Sequence, residues 1–391
     1  MANNLPQCFM GVDEFTVVLF RKHALENINQ WSYEAQNIIK NFVELTQIEP
    51  LLGKIIDTEV KKPAGCTDAK TLKDVPWYLA FGWHRTNPNM GVIVRFSAYA
   101  WAMYQRRFEE KYATAISIAG FLQLCQSEYY RTRLSRIDIV ADYFNYGEVL
   151  NPNTIYEKIK NQQLKVVDYR ERRSNRKYGA VANNWQVETF YIGSKKENSG
   201  SKLRIYDKRA EQIQRHGFRL SEAKKSESWT RFEVSYRNKY AHQITAALLE
   251  IETDATLAQF LASKILDKYR FVDEATDTYI PCTELLLQIV NQENFAVLRS
   301  EQPENNQLKQ DIANLLHHSN LMSILYKVHQ LWGEAEVQVC IDYLLIYYWQ
   351  VYRFKAASNY RLMKWIRENT KSMEGQNIKI CFEHQGIDQY I

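Results

Sequence analysis

No run of apolar residues in this 391-residue chain approaches the ~18 that cross a bilayer as a helix, which argues against a membrane span. The opening Met1-Ala2-Asn3-Asn4 lacks a charged-then-apolar leader, so a cytoplasmic location is expected. No Cys-x-x-Cys pair occurs. The six cysteines (Cys8, Cys66, Cys125, Cys282, Cys340 and Cys381) are scattered, which reads as reduced thiols and argues against zinc. A strong overall charge is missing too, since the net value is only +5. The charge is instead unevenly placed. Residues 161–240 hold 19 Lys and Arg against 9 Asp and Glu, whereas residues 251–350 hold 6 against 14. A basic block beside an acidic one suggests a nucleic-acid surface confined to part of the molecule. Tyr169, Tyr178, Trp185, Tyr191, Tyr206, Trp229 and Tyr236 are interleaved with those cations, which suits single strands, where bases stack and phosphates need neutralising.

The stretch from Ser201 to Glu211, SKLRIYDKRAE, reads as a strand running into a helix. Leu203 and Ile205 alternate with Arg204, Tyr206 and Lys208, the period-two pattern of a half-buried strand. A phenol then sits between two cations on the face away from the core. A phenol ordinarily titrates near pH 10, so such neighbours favour phenolate and also hold a phosphate, as a tyrosine nucleophile requires. A strand with a merely basic solvent face would carry the same pattern.

Carboxylates form the second signal. In the strand Arg136–Phe144, Ile137, Ile139 and Ala141 share one face and Asp138 and Asp142 the other. Strands disfavour aspartate. Two on one face point either to a base or a site for a hard cation such as Mg²⁺ or Mn²⁺, or to pairing with Arg133 and Arg136. The strand Thr230–Arg237 adds Glu233 on its polar face, with Arg231 as the neighbour that could neutralise it.

Around these strands the chain reads as α+β. A β-rich opening (residues 11–20), a helix over 33–56 and strands over 77–83 and 91–97 come first. Helical patterns occupy 99–129 and 154–165, then an exposed basic loop carries Arg170, Arg172, Arg173, Arg176 and Lys177. The strand 186–193 is the expected hairpin partner of the Tyr206 strand, and Lys195 and Lys196 lie in the connecting tip. An antiparallel-sheet domain with flanking helices is therefore expected over 1–275, with a smaller all-helical domain over 276–391. Helices are expected at 311–333, 335–355 and 359–371. The middle one, apolar nearly all round, reads as the buried centre of that domain. The last carries Arg361, Lys364, Arg367 and Lys371, which suits a reader of origin duplex, a partner-docking surface or simply a solvated face.

The segments RIDIVADYF, ETFYIGSKK, SKLRIYDKRAE and TRFEVSYRN, in that order, resemble the replication initiation factor family, which holds rolling-circle plasmid initiators and related relaxases. The resemblance covers about residues 10–275, with GVDEFTVVLF and MGVIVRFSA as weaker matches. It departs at Ala98, where relatives often carry glycine, and in a longer tip over 195–200. The histidine-hydrophobe-histidine metal motif of other rolling-circle nucleases is absent. The resemblance implies a site-specific, metal-dependent endonuclease that nicks one DNA strand at a replication or transfer origin. Tyr206 would become joined to the 5′-phosphate, and Arg204 and Lys208 would bind or polarise the scissile phosphate. Asp142 and Glu233 would hold Mg²⁺ or Mn²⁺, with Asp138 and Glu188 as further candidates. The basic loop residues, Lys195, Lys196, Arg231 and Arg237 would contact DNA. Single-stranded and origin duplex DNA and a host helicase are the implied partners, and a homodimer is left open. Two other classes keep the same residues: a non-catalytic origin-binding regulator, and a metal-only nuclease that attacks with water.

Overall fold

The computed structural model describes residues 5–22, 28–170, 178–183, 186–193, 200–291 and 320–359, with isolated positions elsewhere. It comprises two compact units, Met1–Phe295 and Ala296–Ile391. In the first unit, ten strands form one antiparallel sheet: β1 (Gln7–Arg21), β2 (Ile55–Thr58), β3 (Asp68–Leu72), β4 (Leu79–Trp83), β5 (Val92–Phe96), β6 (Tyr130–Phe144), β8 (Tyr178–Asn183), β9 (Gln186–Gly193), β10 (Ser201–Asp207) and β11 (Trp229–Arg237). The short strands β7 (Leu164–Val167) and β12 (Arg270–Asp273) pair separately.

The spatial order is β2-β3-β4-β5-β1-β6-β11-β10-β9-β8. It is palindromic. Each half opens with a long strand, passes through a helix, α1 (Trp31–Thr46) or α5 (Pro152–Lys160), and returns by a four-stranded meander. The meander's last strand lies beside the half's first, and β1 and β6 then pair at the centre. One difference between the halves bears on the site. A turn joins β4 to β5, whereas β10 and β11 are joined by an excursion of two short helices, α6 (Lys208–Gln214) and α7 (Leu220–Lys225).

Alternation decides which face is core. Phe15, Val17, Leu19, Ile137, Ile139, Leu203, Ile205, Phe232 and Val234 are buried in one apolar cluster with the helices of this unit. At its middle, Phe121 lies 5.3 Å from Phe96 and 5.2 Å from Tyr104, edge to face. The helices are shorter than periodicity alone suggests. The 33–56 pattern breaks at Gln47, which takes a left-handed φ of 55° and starts a separate turn, Ile48–Leu52. The 99–129 pattern splits into α3 (Ala98–Tyr112) and α4 (Ile118–Leu124), each capped by a serine hydroxyl, Ser97 and Ser117. Gly91 starts β5 with φ +70°, and a Cβ there would meet the Leu19 carbonyl at 2.8 Å, so only glycine fits.

The second unit's described part is helical, with helices Leu321–Trp332, Glu334–Tyr347 and Arg353–Ala357. None of their residues is buried, which corrects the expectation of a buried central helix. Tyr343, Leu344 and Leu345 of the middle helix are exposed, as is Trp349 just beyond it. Arg361, Lys364 and Lys371 lie outside the described residues. Among the described residues, no helix is long and apolar enough to cross a membrane.

Candidate active site

The sheet's second face gathers polar residues by strand register. Tyr206 lies opposite Arg231, and Arg231 opposite Asp142. One step along, Arg204 lies opposite Glu233, and Ser235 opposite Asp138. Residues opposite one another in antiparallel strands share a face, so Tyr206, Arg204, Glu233, Arg231, Asp138 and Asp142 form one polar patch.

Tyr206 donates its hydroxyl hydrogen to Glu233 Oε2 at 3.1 Å. The Arg204 guanidinium carbon lies 3.8 Å from the ring centroid and the Lys208 ammonium 5.5 Å. An Arg204 nitrogen is also 3.8 Å from Glu233 Oε2. Arg204 Nε is buried without a partner. The cations do surround the phenol, yet they do not make it acidic here. Tyr206 is only 2% exposed. Burial, followed by the negative charge of Glu233, pushes its hydroxyl well above the ordinary phenol range. Burial, with Asp138 and Asp13 nearby, likewise pushes the Glu233 carboxyl up to about 7.

Asp142 is the hub of an ion network. Arg231 donates Nε and Nη2 to its two oxygens at 2.7 Å each, and Trp229 Nε1 adds a hydrogen bond at 2.8 Å. Arg219, from the α6–α7 excursion, reaches Asp142 at 3.1 Å and is also paired with Glu222. Arg231 also donates to Asp13 at 2.5 Å. Asp13 and Glu14 sit at an irregularity in the β1–β6 register, where β1 carries extra residues. That bulge lets Asp13 serve Arg231 while Glu14 reaches Arg95 at 2.8 Å and Arg136 at 2.7 Å. Arg136 also grips Asp138 through two nitrogens, at 3.1 and 2.6 Å. Opposite charge with good geometry is what makes such buried carboxylates tolerable.

Several sequence expectations change. Glu188 is not the residue opposite Tyr206: Thr189 takes that position, and Glu188 is the extra residue at an irregularity in the β8–β9 register. Arg231 is no surface contact for DNA, being 2% exposed and held by Asp13 and Asp142. Lys208 is buried and paired with Glu211 at 2.5 Å. Arg170 is exposed, with Nε donating to the Tyr169 hydroxyl at 2.7 Å, and Arg237 ends β11 opposite Arg136. Arg172, Arg173, Arg176, Lys177, Lys195 and Lys196 lie outside the described residues. The carboxylates as arranged do not fit Mg²⁺ or Mn²⁺. The oxygens of Asp138 and Asp142 accept from arginines, and no group of three His, Cys, Asp or Glu among the described residues could hold a metal ion. Asp13 and Arg219 were missed by sequence reasoning, and Trp229, expected only as a stacking aromatic, instead donates to Asp142. Only the acidic pair in GVDEF offered a signal.

The sequence matches the family described as replication initiation factor over residues 132–338, more than half the chain and the stretch that carries Asp138, Asp142, Tyr206 and Glu233. The chain belongs to this family. Membership carries a role in initiating DNA replication and, with it, DNA binding. Among solved structures, the fold is similar to a rolling circle replication initiator protein from Geobacillus stearothermophilus, with a TM-score of 0.50 and 15% identity. The alignment covers 73% of this chain and 97% of that one. At that identity the likeness concerns the fold. No curated protein matches the sequence.

Proposed function

We propose that this family member nicks one strand of a DNA origin with Tyr206 as nucleophile and Glu233 as the proton acceptor, starting rolling-circle replication or conjugative transfer. The observation that carries the reading is the 3.1 Å hydrogen bond from the Tyr206 hydroxyl to Glu233, beneath the Arg204 guanidinium. In the step proposed, the phenol oxygen attacks phosphorus in line and its proton passes to Glu233. The bond to the 3′-oxygen breaks, and that oxygen leaves with a proton from solvent. A 5′-phosphotyrosine ester remains, which preserves the energy of the phosphodiester for rejoining. Arg204 has two parts. In the free protein it lies flat on the ring, and an incoming phosphate draws it away. Its unpartnered Nε then gives the phosphate a donor. Basic and aromatic residues around β9 and β10, including Lys202 at 4.2 Å from the Tyr191 ring, suit a strand that is locally single.

The test is adduct formation. Wild-type protein incubated with single-stranded origin DNA, with and without Mg²⁺ or Mn²⁺, should give a covalent complex that survives denaturation. Tyr206→Phe should bind DNA nearly as wild type and give no adduct. A Phe variant that nicks at the wild-type rate would point to water or another tyrosine. Binding without nicking by wild type would favour the non-catalytic regulator.

A further inference from the structure

Arg131 and Arg133 stand apart from the ion pairs that neutralise their neighbours. In β6 they lie opposite Phe20 and Val18 of β1, on the sheet face that also carries Arg136 and Asp138. The Arg133 guanidinium carbon is 4.5 Å from the Phe20 ring centroid, and its Nε is buried with no partner. Three residues on, Arg136 has two carboxylates, Glu14 and Asp138. Among the described residues no carboxylate pairs with Arg131 or Arg133. Burial first, then repulsion from Arg131, pulls Arg133 below the usual arginine range. The same uncompensated charge is felt by His242, which burial and Arg133 together push down to about 4. Holding a part-buried cation without a counter-ion costs stability, so an anion brought by a ligand would relieve it.

We propose that Arg131 and Arg133 form a second DNA contact that grips the phosphodiester backbone of the origin beyond the nicking site. This rests on the reading that the protein nicks an origin. The contact is to phosphate, because Arg133 covers the Phe20 ring that a base would otherwise stack upon. Along β6, the patch is separated from Asp142, the residue in line with Tyr206, by roughly 30 Å at ~3.3 Å per residue. At ~3.4 Å per base pair, that corresponds to about nine pairs of flanking duplex.

The full chain and its Arg131→Ala/Arg133→Ala double variant should be compared by anisotropy across a salt series. One probe is a minimal oligonucleotide spanning the cleavage site; others extend it by about twelve positions, as single strand or as duplex. On an extended probe the variant should bind about tenfold or more weakly, and its logarithmic salt slope should fall by about two, one per lost phosphate contact. The minimal probe should be bound and nicked as by wild type. Arg131→Lys/Arg133→Lys should keep the slope. The extension that shows the loss, single or double, identifies the form of DNA that is gripped. Wild-type affinity and slope on both extensions would overturn the proposal, as would equal loss on the minimal probe. Absence of an adduct from wild type would instead refute the nicking reading, while leaving the salt slopes interpretable.

Discussion

At the residue scale, the proposed nicking step turns on two groups whose burial works against their ionised forms. Tyr206 holds its proton far more tightly than a free phenol, so attack needs a base in place. In the proposed step Glu233, raised to about 7, serves as that base, and it is a real acceptor only once it has lost its own proton. Nicking should therefore speed up as pH rises through about 7, and the Glu233→Gln variant should show a flat profile there. Loss of a general base is worth roughly 10²–10⁴ in rate, which single-turnover nicking would read. The same titration has a stability consequence. A carboxyl raised on folding keeps its proton in the native state while the unfolded chain has released it. Between the ordinary value of 4.5 and about 7, stability therefore falls as pH rises, then stays level. Glu233→Gln removes that loss. At pH 8 it should melt higher than wild type, by an amount worth on the order of 3 kcal/mol. A variant that is both less stable and fully active would contradict both arguments at once.

At the element scale, strand alternation was readable from sequence and long-range pairing was not. Leu203 and Ile205 against Arg204 and Tyr206, and Ile137 and Ile139 against Asp138 and Asp142, fall on the faces expected, because period two is a local property. The partners of Asp142 come from elsewhere. Arg219 is 77 residues away, on a helical excursion that the other half of the sheet lacks. Asp13 meets Arg231 across 218 residues, through a register irregularity that no local pattern announces. The reading of Asp142 as a metal ligand failed to anticipate that its oxygens are already taken. Glu188 is offset from Tyr206 for a related reason: it is the extra residue at a register irregularity of β9, between Val187 and Thr189. The network predicts a distinct phenotype. Asp142→Asn takes from Arg231 and Arg219 the carboxylate they share, leaving Asp13 and Glu222 as their remaining partners, and breaking a buried pair costs ~3–5 kcal/mol. The variant should melt well below wild type, with single-stranded DNA affinity and nicking falling together as the protein unfolds. Wild-type thermal stability with nicking abolished would instead restore Asp142 to a direct catalytic part.

At the scale of the whole molecule, the sheet, its helical cover and the Tyr206 site all fall within the first unit. The helix Pro281–Asn291 belongs there too, since its Cys282, Thr283 and Leu286 are buried and the carbonyl of Cys282 accepts from the Tyr143 hydroxyl at 3.1 Å. The fold of this unit should therefore stand without residues 296–391. The second unit's helices, by contrast, leave Tyr326, Trp332, Tyr343 and Trp349 exposed, which does not resemble a self-sufficient core. A chain ending at Phe295 should keep the melting temperature of the full-length sheet unit. It should also form the Tyr206 adduct on single-stranded DNA within about twofold of the full-length rate, a ratio worth only ~0.4 kcal/mol in activation energy. Recognition of the origin duplex is where a difference is expected, read as a loss of discrimination between origin and scrambled duplex by the shortened chain. If the shortened chain fails to fold, or folds and makes no adduct on a single strand, then the segment Ala296–Ile391 completes the nicking unit rather than directing it to the origin.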